Sequence, residues 1–386
     1  MSSSSYPLLR FLVRAAVFVL VLAGVAEVWT RTVTPSCDVP LSYLETRDSI
    51  FRYDPSGPAR GTWTIGRFGR RTGEWRVNNH GWISTLDYEE GEPAGSPTIA
   101  LLGDSYVEGF LTDVDEHIDA YLAQLVTEAR VYSFGRSGSY LAQYVATARY
   151  AAQFSPDLLI VFLNRRDITS SLKENGVVSP YTWQIESVPG GFAEVPPASV
   201  YQVGWKSRLA RQSALLGYLI YNAQVPLPGM GIGAVPQAQS AGKDTGDAGA
   251  AGDTRDTGVM EGAGGTNAQT PSAWREMVPA ATYMVDLLCN QNPGVPIVFA
   301  VLGGERYLPS SQIASTPLFD DALAIQEACR GNEQCHFLDL RPAFSEDWER
   351  NHERFEAADG AHWNAYANRL AASTLAAFIE QHHLLN

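Results

Sequence analysis

Five short apolar runs, separated by stretches of helical periodicity, constrain this chain more than any other feature. They lie at 98–103 (TIALLG), 131–134, 157–163 (DLLIVFL), 296–302 (PIVFAVL) and 336–340. The runs are continuous rather than alternating, as in strands covered on both faces, and strands of that kind belong to parallel sheets. Helical patterns fill the spacers at 119–129, 140–154, 272–290 and 318–329, and a last amphipathic one covers 364–382. Ser155-Pro156 stops the second of these, because a proline disfavours helical geometry in the residue before it. Strands alternating with helices predict an α/β fold with helices on both faces of a mostly parallel sheet.

The 386 residues are ample for a sizeable core, and 9 Trp, 17 Tyr and 15 Phe require one. A net charge of −14 without a basic run excludes nucleic acid as a partner. Residues 225–271 are Gly, Ala, Asp, Thr and Gln with almost no large apolar side chains. Burial there cannot offset the entropy of ordering, so the segment reads as a disordered insertion into the domain. Residues 32–97, rich in aromatics and turn formers, read as an irregular extension of short strands and loops ahead of the main domain at 98–386. Trp63, Trp75 and Trp82 in it suit a small core or a lid better than an exposed sugar platform.

The first 31 residues stand apart. Arg10 and Arg14 precede twelve uninterrupted apolar residues, 15–26. A basic start before an apolar run is an export signal with its positive end left in the cytoplasm. Residues 8–29 reach spanning length if the two arginines snorkel to one face and Trp29 lies at the other. The small residues Gly24-Val25-Ala26 fit a cleaved signal peptide instead. Either reading places the bulk of the chain outside the cytoplasm, in the cell envelope or beyond. In that oxidising space Cys329 and Cys335, six apart across a turn, suit a local disulfide, while Cys37 and Cys289 are left open between pairing and free thiols.

In an open parallel sheet, function gathers at the carboxyl ends of the strands. The first strand ends in Gly103-Asp104-Ser105, the second runs into Gly135-Arg136-Ser137-Gly138, the third into Asn164-Arg165-Arg166-Asp167. Asp359-Gly360-Ala361-His362 precedes the last helix. Ser105 follows a tight turn that exposes its hydroxyl, and a serine needs a base before it attacks. His362 has a carboxylate three residues upstream, so Asp359 is placed to fix its tautomer. The N–H groups of Ser105 and Gly138 and the amide of Asn164 form a candidate oxyanion hole. Asp104 suits a helix cap. Arg165 and Arg166 are candidates for an anionic group on a substrate, although Arg166 has Asp167 beside it as an alternative partner. His352, Glu353, Glu356, Asp359 and His362 lack the spacing of a helical zinc motif, and no metal or other cofactor is implied. His117, His336, His382 and His383 read as structural or solvated.

Taken together and in order, these four blocks resemble those of the SGNH/GDSL hydrolases. The resemblance covers about 98–170 and 355–383. It implies a flavodoxin-like three-layer α/β/α sandwich with five parallel strands in the order 2-1-3-4-5. It also implies Ser105 as nucleophile, His362 as base, Asp359 orienting His362, and Gly138 and Asn164 completing the oxyanion hole. Two departures stand out. The third block, usually Gly-x-Asn-Asp, reads Phe162-Leu163-Asn164-Arg165, and Gly135 competes with Gly138 for the second.

The function expected is a serine esterase acting on O-acyl groups of carbohydrates or small lipid-like esters. Asn78-Asn79-His80-Gly81-Trp82 ahead of the nucleophile is similar to membrane-tethered SGNH proteins linked to exopolysaccharide acetylation. That keeps O-acetyl transfer to a polysaccharide hydroxyl as the alternative. A catalytically silent polysaccharide-binding protein is the reading from outside catalysis.

Overall fold

A computed structural model describes residues 5–44, 48–91, 95–176, 179–201, 203–204, 208, 211–223, 225, 273–302, 307–313 and 315–385. The insertion expected at 225–271 lies, except for Val225, outside the described residues.

The long helix α1 (Ser5–Thr32) is followed by strands β1 (Ser42–Leu44), β2 (Phe51–Tyr53), β3 (Arg60–Ile65) and β4 (Arg70–Arg76). The alternating region comprises β5 (Thr98–Gly103), α2 (Ser105–Glu108), α3 (Ile118–Leu125), β6 (Arg130–Gly135), α4 (Leu141–Ala151) and β7 (Leu158–Leu163). A hairpin, β8 (Gln184–Val188) and β9 (Gly191–Val195), and the short α5 (Ala214–Gly217) come next. The chain then continues as α6 (Ala273–Gln291), β10 (Ile297–Val301), α7 (Ser310–Ile313), α8 (Asp320–Ala328), β11 (Cys335–Asp339), α9 (Arg341–Asn351) and α10 (Ala365–Gln381).

Five strands form one parallel sheet in the order β6-β5-β7-β10-β11, which is the order the family resemblance implied. Strands β5, β7 and β10 are buried at every residue. Their side chains alternate between two cores, as the period of two in a strand requires. Ala100, Leu102, Leu159, Val161 and Phe299 face the layer containing α4, α6 and α8. Ile99, Leu101, Leu158, Ile160 and Phe162 face α3, α9 and α10. The result is a three-layer α/β/α sandwich.

The N-terminal extension adds a third, smaller core. β3 and β4 form an antiparallel hairpin whose register shifts between Trp63 and Thr64. Trp63, Trp75, Tyr53, Val77, Ile83 and Leu111 pack together, with Phe110 and Ala357 of the main domain against them. Trp63 and Trp75 are 2% exposed and Trp82 1%, so none of them offers an open sugar platform. The Asn78–Trp82 motif is a turn in which Asn78 Oδ1 accepts from the N–H groups of His80 (3.0 Å) and Trp82 (2.9 Å).

One expectation about cysteines is corrected, and one question the sequence left open is answered. All four are free thiols, and Cys335 lies 3.8 Å from Cys289 Sγ rather than being bridged to Cys329. Cys37 belongs to the extension's core and Cys289 to the α4/α6 layer, so burial in separate cores keeps them apart. Helix α9 was not foreseen. It is mostly polar, and its apolar contacts reduce to Phe344 and Trp348 one turn apart.

Candidate active site

Every sequence-nominated block lies where a β-strand ends or α10 is about to begin. Asp104 ends β5's connection and caps α2, its Oδ1 accepting from the Tyr106 N–H at 3.0 Å. That cap turns the chain sharply, and α2 is a single turn closed at Gly109 in the left-handed region. Ser105 opens the turn, and its Oγ is 2.8 Å from Nε2 of His362. On the other ring edge, Nδ1 of His362 bonds Asp359 Oδ2. Asp359 Oδ1 also accepts from the N–H groups of Ala361 (3.0 Å) and His362 (3.1 Å). Burial opposes charge on Asp359, yet the His362 ring and these two N–H groups hold it below the usual carboxylate range. The carboxylate therefore stays ionised and fixes the imidazole edge it faces.

The His362 loop is held from above as well. Tyr106 OH donates to the Ala361 carbonyl at 3.0 Å. The rings of Tyr106 and Phe110 lie 5.5 and 5.0 Å from that of His362, and Phe110 in turn meets Trp63 at 4.9 Å. Ser105 and His362 are only 5% and 4% exposed, so the pair is largely screened from bulk water.

The two candidate glycines of the second block have separate tasks. Gly135 ends β6 with its α-carbon pressed on the backbone of Val107 and Glu108, and a side chain there would collide with that backbone. Gly138 occupies the turn beyond, at φ 78°, a conformation that costs glycine nothing. Neither the Gly138 N–H nor the Ser105 N–H has a partner among the described residues. Asn164 directs Nδ2 to Asp104 Oδ2 at 3.0 Å, and its Oδ1 accepts from the Arg165 N–H at 2.8 Å. One amide hydrogen thus remains for a ligand.

The missing glycine of the third block has a visible consequence. Phe162 stays within β7, packed beside Trp363 at 6.4 Å, and Asp167 supplies the carboxylate that accepts from the Asn164 N–H at 2.7 Å. Burial, reinforced by Asp104, raises the Asp167 carboxyl well above its usual range, and Tyr144 OH lies 3.4 Å from it. Burial likewise raises Asp104 and Asp321, the latter receiving the N–H groups of Ile168 and Thr169 at 2.7 and 3.2 Å. Asp167 therefore points inward and forms no ion pair with Arg166. Arg165 and Arg166 are both exposed, Arg166 at φ 72° and Arg165 over the Phe319 ring at 5.7 Å.

Sequence reasoning missed a buried polar group behind the Gly138 turn. Glu108, at the end of α2, accepts from Tyr53 OH and from both the N–H and the hydroxyl of Ser137. Arg136, 3% exposed, bonds Tyr53 OH at 3.1 Å and Ser42 Oγ at 2.9 Å, its guanidinium lying over the rings of Phe51 and Tyr53. The signal available was a glutamate three residues after the serine, on the inner face of a one-turn helix. Among the described residues, no three His, Cys, Asp or Glu side chains are grouped to hold a metal. His352 takes a left-handed helix cap, and Glu356 pairs with Tyr307.

No family model and no curated protein matches the chain. Solved structures similar to it include a carbohydrate esterase family 2 enzyme with a carbohydrate-binding domain from Corynascus thermopiles (Myceliophthora fergusii). That one is 12% identical over 81% of this chain and 75% of its own, at a TM-score of 0.36. TesA is 11% identical over 75% and 99%, at 0.37. The salicylyl-acyltransferase SsfX3 from a tetracycline biosynthetic pathway is 12% identical over 78% and 59%, at 0.36. The three-layer sandwich rests on the strand order and layers described above. At these identities an activity is not inherited, and the chemistry has to be argued from the side chains themselves.

Proposed function

We propose that this protein acts on acyl esters through a serine acyl-enzyme, with Ser105 as nucleophile, His362 as base and Asp359 orienting the imidazole. The observation that carries the reading is the unbroken hydrogen-bonded line from Ser105 Oγ through His362 to Asp359. In the forward step, Ser105 Oγ bonds to the ester carbonyl carbon as its proton passes to His362 Nε2. The N–H groups of Ser105 and Gly138 and the Asn164 amide receive the oxyanion. As the tetrahedral adduct collapses, the alkoxy group leaves with the proton from His362. Water, deprotonated by the same imidazole, then releases the acid. Arg165 and Arg166, exposed just after Asn164, are the proposed contacts for an anionic substrate group.

O-acyl groups on a carbohydrate or on small lipid-like esters are the substrates proposed. Helix α1 is long and apolar enough to cross a membrane. With Arg10 and Arg14 on the cytoplasmic side, it would tether the catalytic domain outside the cytoplasm. Transfer of the acyl group to a sugar hydroxyl is the second reading, favoured by the burial of Ser105 and His362, since an acyl-enzyme sheltered from water survives until an acceptor arrives.

The test is turnover of p-nitrophenyl acetate by the full chain in detergent, with Ser105→Ala beside it and with oligosaccharide present or absent. Hydrolysis that needs Ser105 and ignores the sugar supports the esterase, whereas Ser105-dependent acetylation of the sugar supports transfer. A folded protein that neither turns over ester nor reacts with a fluorophosphonate probe is a silent binder, and the catalytic reading falls.

A further inference from the structure

The end of α1 is not a free leash. Glu27, one turn before the end of the apolar helix, accepts from Ser213 Oγ at 2.7 Å and from the N–H groups of Ala214 and Leu215 at 2.9 Å each. These are the first donors of α5, so the carboxylate caps that short helix directly onto the anchor. The β3–β4 hairpin is fastened to the same place. Gly69 packs so tightly on Thr34 and Pro35 that a methyl group there would strike the Pro35 carbonyl oxygen. Tyr218 OH, just beyond α5, donates to the Arg67 carbonyl at 2.6 Å. The hairpin tip therefore lies beside the residues that follow Trp29, which is the level at which a spanning helix leaves hydrocarbon for headgroups.

The composition of that tip is unusual for this chain. Phe68 is 93% exposed, the most exposed large apolar side chain described, and Val33 next to the anchor is 54% exposed. Arg67 and Arg70 flank Phe68 and are exposed as well. A protein of net charge −14 thus presents an aromatic ring between two cations at the one place where its membrane helix emerges. Aromatic and aliphatic side chains favour the acyl boundary, and arginines favour anionic headgroups.

We propose that the β3–β4 hairpin tip is a second membrane contact, with Phe68 in the headgroup–acyl boundary and Arg67 and Arg70 on acidic phospholipid. The proposal rests on the reading of α1 as a membrane anchor, and it is independent of the chemistry assigned to Ser105. Two attachment points, one spanning and one superficial, hold the catalytic domain at a fixed tilt and height over the bilayer. The same hairpin carries Trp63, which contacts Phe110 beside His362, so the contact reaches the site through one layer of rings.

The test uses full-length Phe68→Trp in nanodiscs of phosphatidylcholine and phosphatidylglycerol whose acyl chains are brominated near the glycerol end. Subtracting wild-type emission isolates the new indole from Trp29 and the other tryptophans. The expected result is about twofold quenching of that increment, as for a ring buried in the upper acyl region. It should be reversed by Arg67→Glu/Arg70→Glu or by omitting phosphatidylglycerol. A circular-dichroism spectrum and a thermal unfolding midpoint equal to wild type show that the variant is folded. An unquenched increment while Trp29 is quenched overturns the second contact and leaves the anchor intact. Absence of quenching from both overturns the anchor and the proposal together. Quenching indifferent to the arginine changes overturns the headgroup contact.

Discussion

Asn164→Ala is the substitution whose two effects can be separated most cleanly. Its Nδ2 spends one hydrogen on Asp104 Oδ2 at 3.0 Å and has one left for the oxyanion. Losing a single oxyanion donor costs about 3 kcal/mol of transition-state stabilisation, or on the order of 100-fold in kcat. KM should barely move, because the ground-state ester carbonyl carries little charge. A separate stability cost arises because Asp104, already raised by burial, loses a hydrogen-bond partner; about 1–3 kcal/mol is expected. Asp104→Asn is the companion variant. It keeps an oxygen for the Tyr106 N–H but sets two amide groups against each other, so Asn164 is retained and merely misdirected, with a smaller loss, of order tenfold in kcat. The assay is steady-state p-nitrophenyl ester turnover with thermal unfolding measured on the same preparations. If folded Asn164→Ala keeps kcat within about threefold of wild type, the amide is not an oxyanion donor and the reasoning fails.

Three further outcomes follow from the same geometry. Asp119 is buried with Oδ1 lacking a partner, and burial raises its carboxyl from 3.8 to about 7. A raised carboxyl favours the protonated folded state, so its contribution is full below the unfolded value and is lost as pH rises from about 4 to 7, at most on the order of 4 kcal/mol. Asp119→Asn should therefore flatten the fall in stability over that window, and an unchanged slope in denaturant titrations would count against the burial argument. Asp359, held low by the His362 ring and two N–H groups, stays charged across the assay range, so Asp359→Asn should lower kcat/KM by orders of magnitude at every pH tested, and unchanged turnover would contradict that pairing. Gly135→Ala should cost about 1–3 kcal/mol of stability by forcing α2 away from β6, and activity should fall with it. Full activity in that variant would mean the close approach is dispensable.

The sheet was legible because its three central strands are apolar at nearly every position, a pattern that a sheet covered on both sides accommodates. The blocks at Ser105, Asn164 and His362 were legible because strand ends in such a sheet converge on one edge. The extension was not, since its short strands pair only locally and their register depends on which aromatic rings find each other. Trp63 and Trp75 carry no periodicity that announces a shared core. The cysteine pairing was misread for a related reason. Spacing along the chain favoured Cys329 with Cys335, whereas the packing of α6 on the sheet brings Cys289 to Cys335 from 46 residues away. The third block illustrates a substitution that only three dimensions explain: Asp167, two residues late for the family pattern, reaches the Asn164 N–H because Arg166 turns through the left-handed region.

The group behind the Gly138 turn indicates why the extension belongs with the catalytic layers. Glu108 and Arg136 are both buried, and each isolated charge would be expensive in that setting. Tyr53 resolves the difficulty by lying between them, donating to Glu108 and accepting from Arg136. Tyr53 comes from β2 and Ser42, the other Arg136 partner, from β1, both in the extension. Without those strands Arg136 would lose two hydrogen bonds and the two rings beneath it. The strain would fall on Ser137, whose N–H and hydroxyl are held by Glu108 immediately before Gly138. The turn that presents a candidate oxyanion donor is thus braced by residues more than eighty positions upstream. A chain cut to the alternating strands and helices would keep Ser105 and His362 while loosening the donor that makes them useful.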